Sequence, residues 1–160
     1  MPAGSRIRDR RVMNRPISII VASLAFALAV VAGIAESALA VGRQVTVHGV
    51  STADLTQIGV RAVVYGAALT AAVLLYRGRG WARWALVITI GLLWLGTLVA
   101  PMAMEAASGV PWGSVFGAEA GPVFPILRAL HLVLVPIGVI AALRPSARAF
   151  LTDRHRVLVG

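Results

Sequence analysis

The stretch WALVITIGLLWLGTLVAPMAM, residues 84–104, contains no charged side chain. At about 1.5 Å per helical residue it crosses a hydrocarbon layer of roughly 30 Å, which takes about 20 residues. Three further apolar runs surround it in the chain, at about 17–41, 58–76 and 122–143, and residues 17–35 of the first are also uncharged. The second and fourth runs each carry one arginine near their start. Backbone amides and carbonyls go unpaired in lipid unless each segment satisfies its own, so an open sheet is excluded. The runs also lack the alternating polar residues of a barrel strand. The pattern predicts an all-α, integral membrane four-helix bundle covering 17–143, flanked by basic tails at 1–16 and 144–160.

The composition agrees with this. Of 160 residues, 59% are hydrophobic and 13% charged, and there is no cysteine, which excludes disulfides, thiolate metal sites and a cysteine nucleophile. The chain is too short for a large multidomain enzyme. All fifteen basic residues are arginine. Twelve of them fall on one side of the four-span layout: Arg6, Arg8, Arg10, Arg11 and Arg15 in the N-terminal tail, Arg77, Arg79 and Arg83 in the link between spans two and three, and Arg144, Arg148, Arg154 and Arg156 in the C-terminal tail. The other side and its helix ends hold Arg43, Arg61 and Arg128, with Glu36, Asp54, Glu105 and Glu119. By the positive-inside rule both the N-terminus and the C-terminus are expected in the cytoplasm. Arg77, Arg79, Arg83, Arg144 and Arg148 are then placed to meet anionic lipid headgroups. Tyr76, Trp81 and Trp84 would lie at the cytoplasmic interface, and Trp112, Phe116 and Phe124 at the opposite one. Residues 37–40 (SALA) resemble a signal-peptide cleavage site, but the preceding apolar run exceeds the usual ~7–15 residues, so it is read as a retained span.

Small residues allow close helix approach in lipid. Ala25, Ala29, Gly33 and Ser37 on the first span and Ala62, Gly66 and Thr70 on the second recur every four residues, which predicts a contact between spans one and two. Thr52, followed by Ala53, Asp54 and Leu55, reads as a capped start for the second helix. Pro136 predicts a kink in the fourth, with Gly138 giving room beside it. An offset of 67 aligns Arg61-Ala62 with Arg128-Ala129 and Arg77 with Arg144, the trace expected of a duplicated helical hairpin. Residues 44–48 (QVTVH) alternate like a short strand or form a surface connection, and 105–121 read as a Gly- and Ala-rich loop around Pro111 and Trp112.

Ionisable groups inside a span are costly, at least ~2.5 kcal/mol for arginine at mid-membrane, and mark candidate functional positions. Glu36, Arg61 and Arg128 each lie four or five residues inside the outer boundary, in one layer roughly 7 Å deep. The predicted helix contact favours a Glu36–Arg61 pair. Tyr65 shares a face with Arg61, His131 shares one with Arg128, and Thr97 sits at similar depth. Glu36, Arg61, Tyr65, Thr97, Arg128 and His131 therefore form a candidate ligand-binding layer in which one arginine pairs with Glu36 and the other faces an anionic or carbonyl-bearing ligand. The alternative is that both arginines snorkel to the interface.

No catalytic motif occurs, and no cofactor or metal is implied. His48, His131 and His155 fall in a loop, a span and a tail, and residues 77–80 (RGRG) lack the lysine and hydroxyl of a phosphate loop. An enzyme is not expected. Nucleic acid is not expected as a partner either, because the arginines flank spans where lipid phosphates already serve. The turn at 78–83 (GRGWAR) resembles that of small uncharacterised four-span membrane proteins of actinobacterial type. The resemblance implies the four-span layout and a bacterial plasma membrane, and transfers no active site. Two functional classes follow. One is a non-catalytic accessory or scaffold component, associating with a membrane-protein partner or a second copy of itself. The other is a small transporter or a lipid- or quinone-type binding protein using the outer polar layer. The first is favoured at this stage because no span is charged near its middle, where carriers place their sites.

Overall fold

The computed structural model describes residues 15–159. Arg6, Arg8, Arg10 and Arg11, and the side chains of His48, Glu119, Arg154, His155 and Arg156, lie outside the described residues. Every element among the described residues is helical: α1 (Ile17–His48), α2 (Thr52–Tyr76), α3 (Gly80–Trp94), a π-helical segment (Leu95–Val99), α4 (Ala100–Ala107), α5 (Trp112–Val115), a 3-10 turn (Ala118–Ala120), α6 (Val123–Leu143) and α7 (Pro145–Val159). Four stretches are long and apolar enough to cross a membrane: most of α1, α2, the run from α3 through α4, and α6. That matches the four apolar helices expected.

Helix ends follow local chemistry. α1 passes through 44–48, which is neither strand nor loop, because no breaker occurs until Gly49 takes a positive φ of 74° and ends the helix. Ser51, one residue before the expected cap, starts α2. Its hydroxyl accepts from the Asp54 amide while the Asp54 carboxylate accepts from the Ser51 amide. Gln44 donates to Asp54 at 2.7 Å, tying the end of α1 to the start of α2. The π segment precedes Pro101, which has no N–H to return to the Thr97 carbonyl, so the ladder widens there by one residue.

The core gathers at the end where Arg77, Arg79, Arg144 and Arg148 are exposed. Ile19, Phe26, Leu75, Leu86, Val135 and Ala142 are buried together there. α1 lies chiefly along α6, and its contact with α2 is the lesser one, contrary to the small-residue reading. Gly138 contributes to this: a Cβ there would fall 3.0 Å from the Phe26 ring, so the absence of a side chain lets the ring seat closely against α6. The α1 ladder is used, with Ala25 and Ala29 buried. The α2 ladder is not, since Ala62, Gly66 and Thr70 face outward and α2 packs through Ala68, Ala72 and Leu75. The segment read as a basic C-terminal tail is the helix α7, which seats Ala147, Phe150 and Leu151 in the core and is pinned to α1 by the Ser18–Ser146 hydroxyl bond of 2.9 Å.

At the opposite end, residues 105–121 are not an open loop. Val115 is fully buried with Leu98 and Met102 in a second apolar cluster. Gly117, at a φ of 73°, turns the chain back over Phe124. α2 is exposed along its first half, and its buried residues all lie between Ala68 and Leu75.

Candidate functional site

The buried residues of α2 lie between Ala68 and Leu75, and beyond them a cavity of about 450 Å³ remains between the far halves of α1, α2, α3 with the π segment, and α6. All six residues of the expected polar layer line it: Glu36, Arg61, Tyr65, Thr97, Arg128 and His131. Their spacings explain the convergence. Arg61 and Tyr65 stand one turn apart on α2, as do Arg128 and His131 on α6, and Glu36 follows Gly33 by three on α1. Gly33 makes the convergence sterically feasible, since a Cβ there would lie 3.1 Å from the His131 ring and 3.5 Å from that of Tyr65.

The ion pair differs from the expected one. Glu36 Oε1 meets Arg128 Nε at 3.4 Å, not Arg61, in keeping with the more extensive contact of α1 with α6 than with α2. Both side chains are largely buried, at 16% and 21% exposure. Arg128 is held on two further sides: Nη1 donates to the Val115 carbonyl at 2.8 Å, and the guanidinium lies 5.0 Å from the Phe124 ring centre. It thus fastens the folded-back segment and α1 to α6. Arg43 helps by donating to the Ala120 carbonyl from the end of α1.

A second chain of bonds joins α1 to α2. The Tyr65 hydroxyl donates to the Gly33 carbonyl at 3.1 Å, so its 2.7 Å contact with Ser37 is one in which Ser37 donates. Ser37 Oγ in turn accepts from Arg61 Nη1 at 3.3 Å, beyond the usual N–H to O range of ~2.7–3.2 Å. That bond is with a neutral hydroxyl, which leaves the charge on Arg61 without a counter-charge among the described contacts. Thr97 donates back to the Leu93 carbonyl at 2.5 Å, so its proton is committed within its own helix.

Two wall features were not singled out from the sequence. Trp94 packs against both apolar clusters and lines the cavity, and its indole Nε1–H is buried with no acceptor among the described residues. Ser37, read only as a small residue, is the relay between Arg61 and Tyr65. Apolar lining comes from Val30, Ala68 and Ile90 as a floor on the side of the main core, and from Leu98 on the side of the second apolar cluster. Val60 on α2 and Leu93 on α3, both substantially exposed, form the edges of the opening.

The expected headgroup residues cluster apart from this site. Arg77, Arg79, Arg144 and Arg148 are exposed around the α2–α3 turn and the start of α7, while Arg83 is half-buried with its guanidinium 5.0 Å from the Trp84 ring centre. Arg15 lies 4.2 Å from the Tyr76 ring centre at the same end. No family model, curated protein or solved structure matches the chain.

Proposed function

We propose that this is a small multi-pass membrane protein, non-catalytic, that binds a lipid- or quinone-type amphiphile in the cavity between α1, α2, α3 and α6. The observation that carries this reading is the cavity itself: about 450 Å³, within the ~300–1,000 Å³ common for small-molecule sites, with polar groups gathered over an apolar floor. By the arginine distribution both chain ends face the cytoplasm, the cavity lies in the outer half, and a bacterial plasma membrane is the setting suggested by the 78–83 turn. Anionic lipid headgroups meet Arg77, Arg79, Arg83, Arg144 and Arg148 on the inner face.

Native mass spectrometry of gently extracted protein tests the proposal. Wild-type protein should carry a small amphiphile, and Val64→Phe, at a cavity-lining position outside the buried core, should lose it while remaining folded. Wild-type protein that retains no small molecule under these conditions would refute the binding role.

A second reading has its own support. Gly59, Ala62, Gly66 and Thr70 form an outward small-residue face on α2, and a Cβ at either glycine would meet nothing within 4 Å. Such a face suits close approach by another helix, as an accessory or scaffold component or a homo-oligomer requires. Stoichiometric co-purification of a membrane-protein partner or of a second copy, abolished by Gly66→Leu, would support it.

A further inference from the structure

The charges around the cavity do not balance. Glu36 and Arg128 cancel at 3.4 Å, which leaves Arg61, whose described partner is a neutral hydroxyl at 3.3 Å. Counting only the acidic and arginine side chains, the lining carries one formal positive charge. The Arg61 guanidinium keeps N–H groups to spare beyond its one bond to Ser37, and the His131 imidazole lines the same wall, while the hydroxyl protons of Tyr65 and Thr97 are already committed. A wall with one excess cation suits an acceptor carrying one negative charge, and a carboxylate matches the guanidinium fork with two parallel bonds. Beneath the polar layer the lining is aliphatic, and the exposed wall residues Val60 and Leu93 flank an opening on the side of the bundle.

Resting on the amphiphile-binding reading above, we infer that the cavity takes a single-chain amphiphile with a monoanionic head, a fatty-acid carboxylate in its simplest form. The molecule enters sideways between α2 and α3, and its head pairs with Arg61. Arg128 is a positioning residue. It holds Glu36 and the Val115 segment, so that Glu36 is neutralised and does not repel the incoming head. Arg61 is the residue that recognises charge.

The full chain in lipid nanodiscs, titrated with oleate, oleyl alcohol and oleoyl lysophosphatidate, separates the possibilities. Oleate should bind at least about tenfold more tightly than the alcohol, equivalent to ~1.4 kcal/mol. Arg61→Gln should erase that preference while leaving affinity for the alcohol within about twofold. Arg61→Lys, which keeps the charge and guards against a folding artefact, should retain part of it. Equal binding of oleate and alcohol by wild-type protein would overturn the head assignment and leave amphiphile binding intact. A tenfold preference for lysophosphatidate over oleate would overturn the monoanionic head in favour of a phosphate. Failure of all three to bind would remove the amphiphile-binding reading along with this one.

Discussion

The two ends of the bundle solve opposite problems with similar residues. At the arginine-rich end, Gly138 lets Phe26 in, α7 closes over the base, and apolar side chains fill the interior. At the other end, Gly33 admits the His131 and Tyr65 rings, and a polar cavity remains between α1, α2, α3 and α6. Glycine serves close packing in both places. What differs is the visitor: a ring that completes a core at one end, and a tyrosine and a histidine ring that wall a cavity at the other. Helix contact in lipid depends on packing and polar bonds, not on water expulsion, so the closed end supplies stability and the open end is free to specialise.

The sharpest way to break this contrast is at Gly138. Gly138→Leu should abolish folded yield, and Gly138→Ala should destabilise by about 1–3 kcal/mol, as overpacking does, in a detergent melting assay. Neither should change which amphiphile the remaining folded protein prefers. Next is the ion pair. Glu36→Arg should lower folded yield by placing it against Arg128, and adding Arg128→Glu should restore part of it, whereas adding Arg61→Glu should not; rescue by Arg61 instead would displace the pairing at 3.4 Å. Gly117→Ala comes third. A Cβ there would lie 2.7 Å from the Phe124 ring, on a backbone with φ of 73°, so a loss of about 1–2 kcal/mol is expected. Faster hydrogen exchange confined to 112–121 would locate the damage. The smallest effect should come from Tyr65→Phe, which removes the bonds to Gly33 and Ser37 and should cost about 1 kcal/mol in the same melting assay.

Much of the architecture was legible because long apolar runs have few ways to satisfy their backbones. The membership of the polar layer was legible for a related reason: helical spacing and depth place Glu36, Arg61, Tyr65, Thr97, Arg128 and His131 together whatever the partner choice. Partner choice itself was not. Four-residue ladders of small residues occur on both α1 and α2, but a ladder does not reveal whether a bulky residue waits opposite it, and Phe26 facing Gly138 contributed to the outcome. The π segment had a signal in Pro101, whose missing N–H disrupts the ladder near Thr97. The fold of 144–160 was obscured by its arginines, although Ala147, Phe150 and Leu151 fall on one helical face.

The Glu36–Arg128 pair spans 92 positions of sequence. On the membrane-spanning reading proposed above, with the chain threaded into the bilayer as it is synthesised at about 5–20 residues per second, the first helix holds its carboxylate without this partner for roughly 5–20 s until the fourth emerges. Biogenesis on that reading includes an interval in which the Glu36 carboxylate needs shelter from hydrocarbon, and arrival of Arg128 ends it.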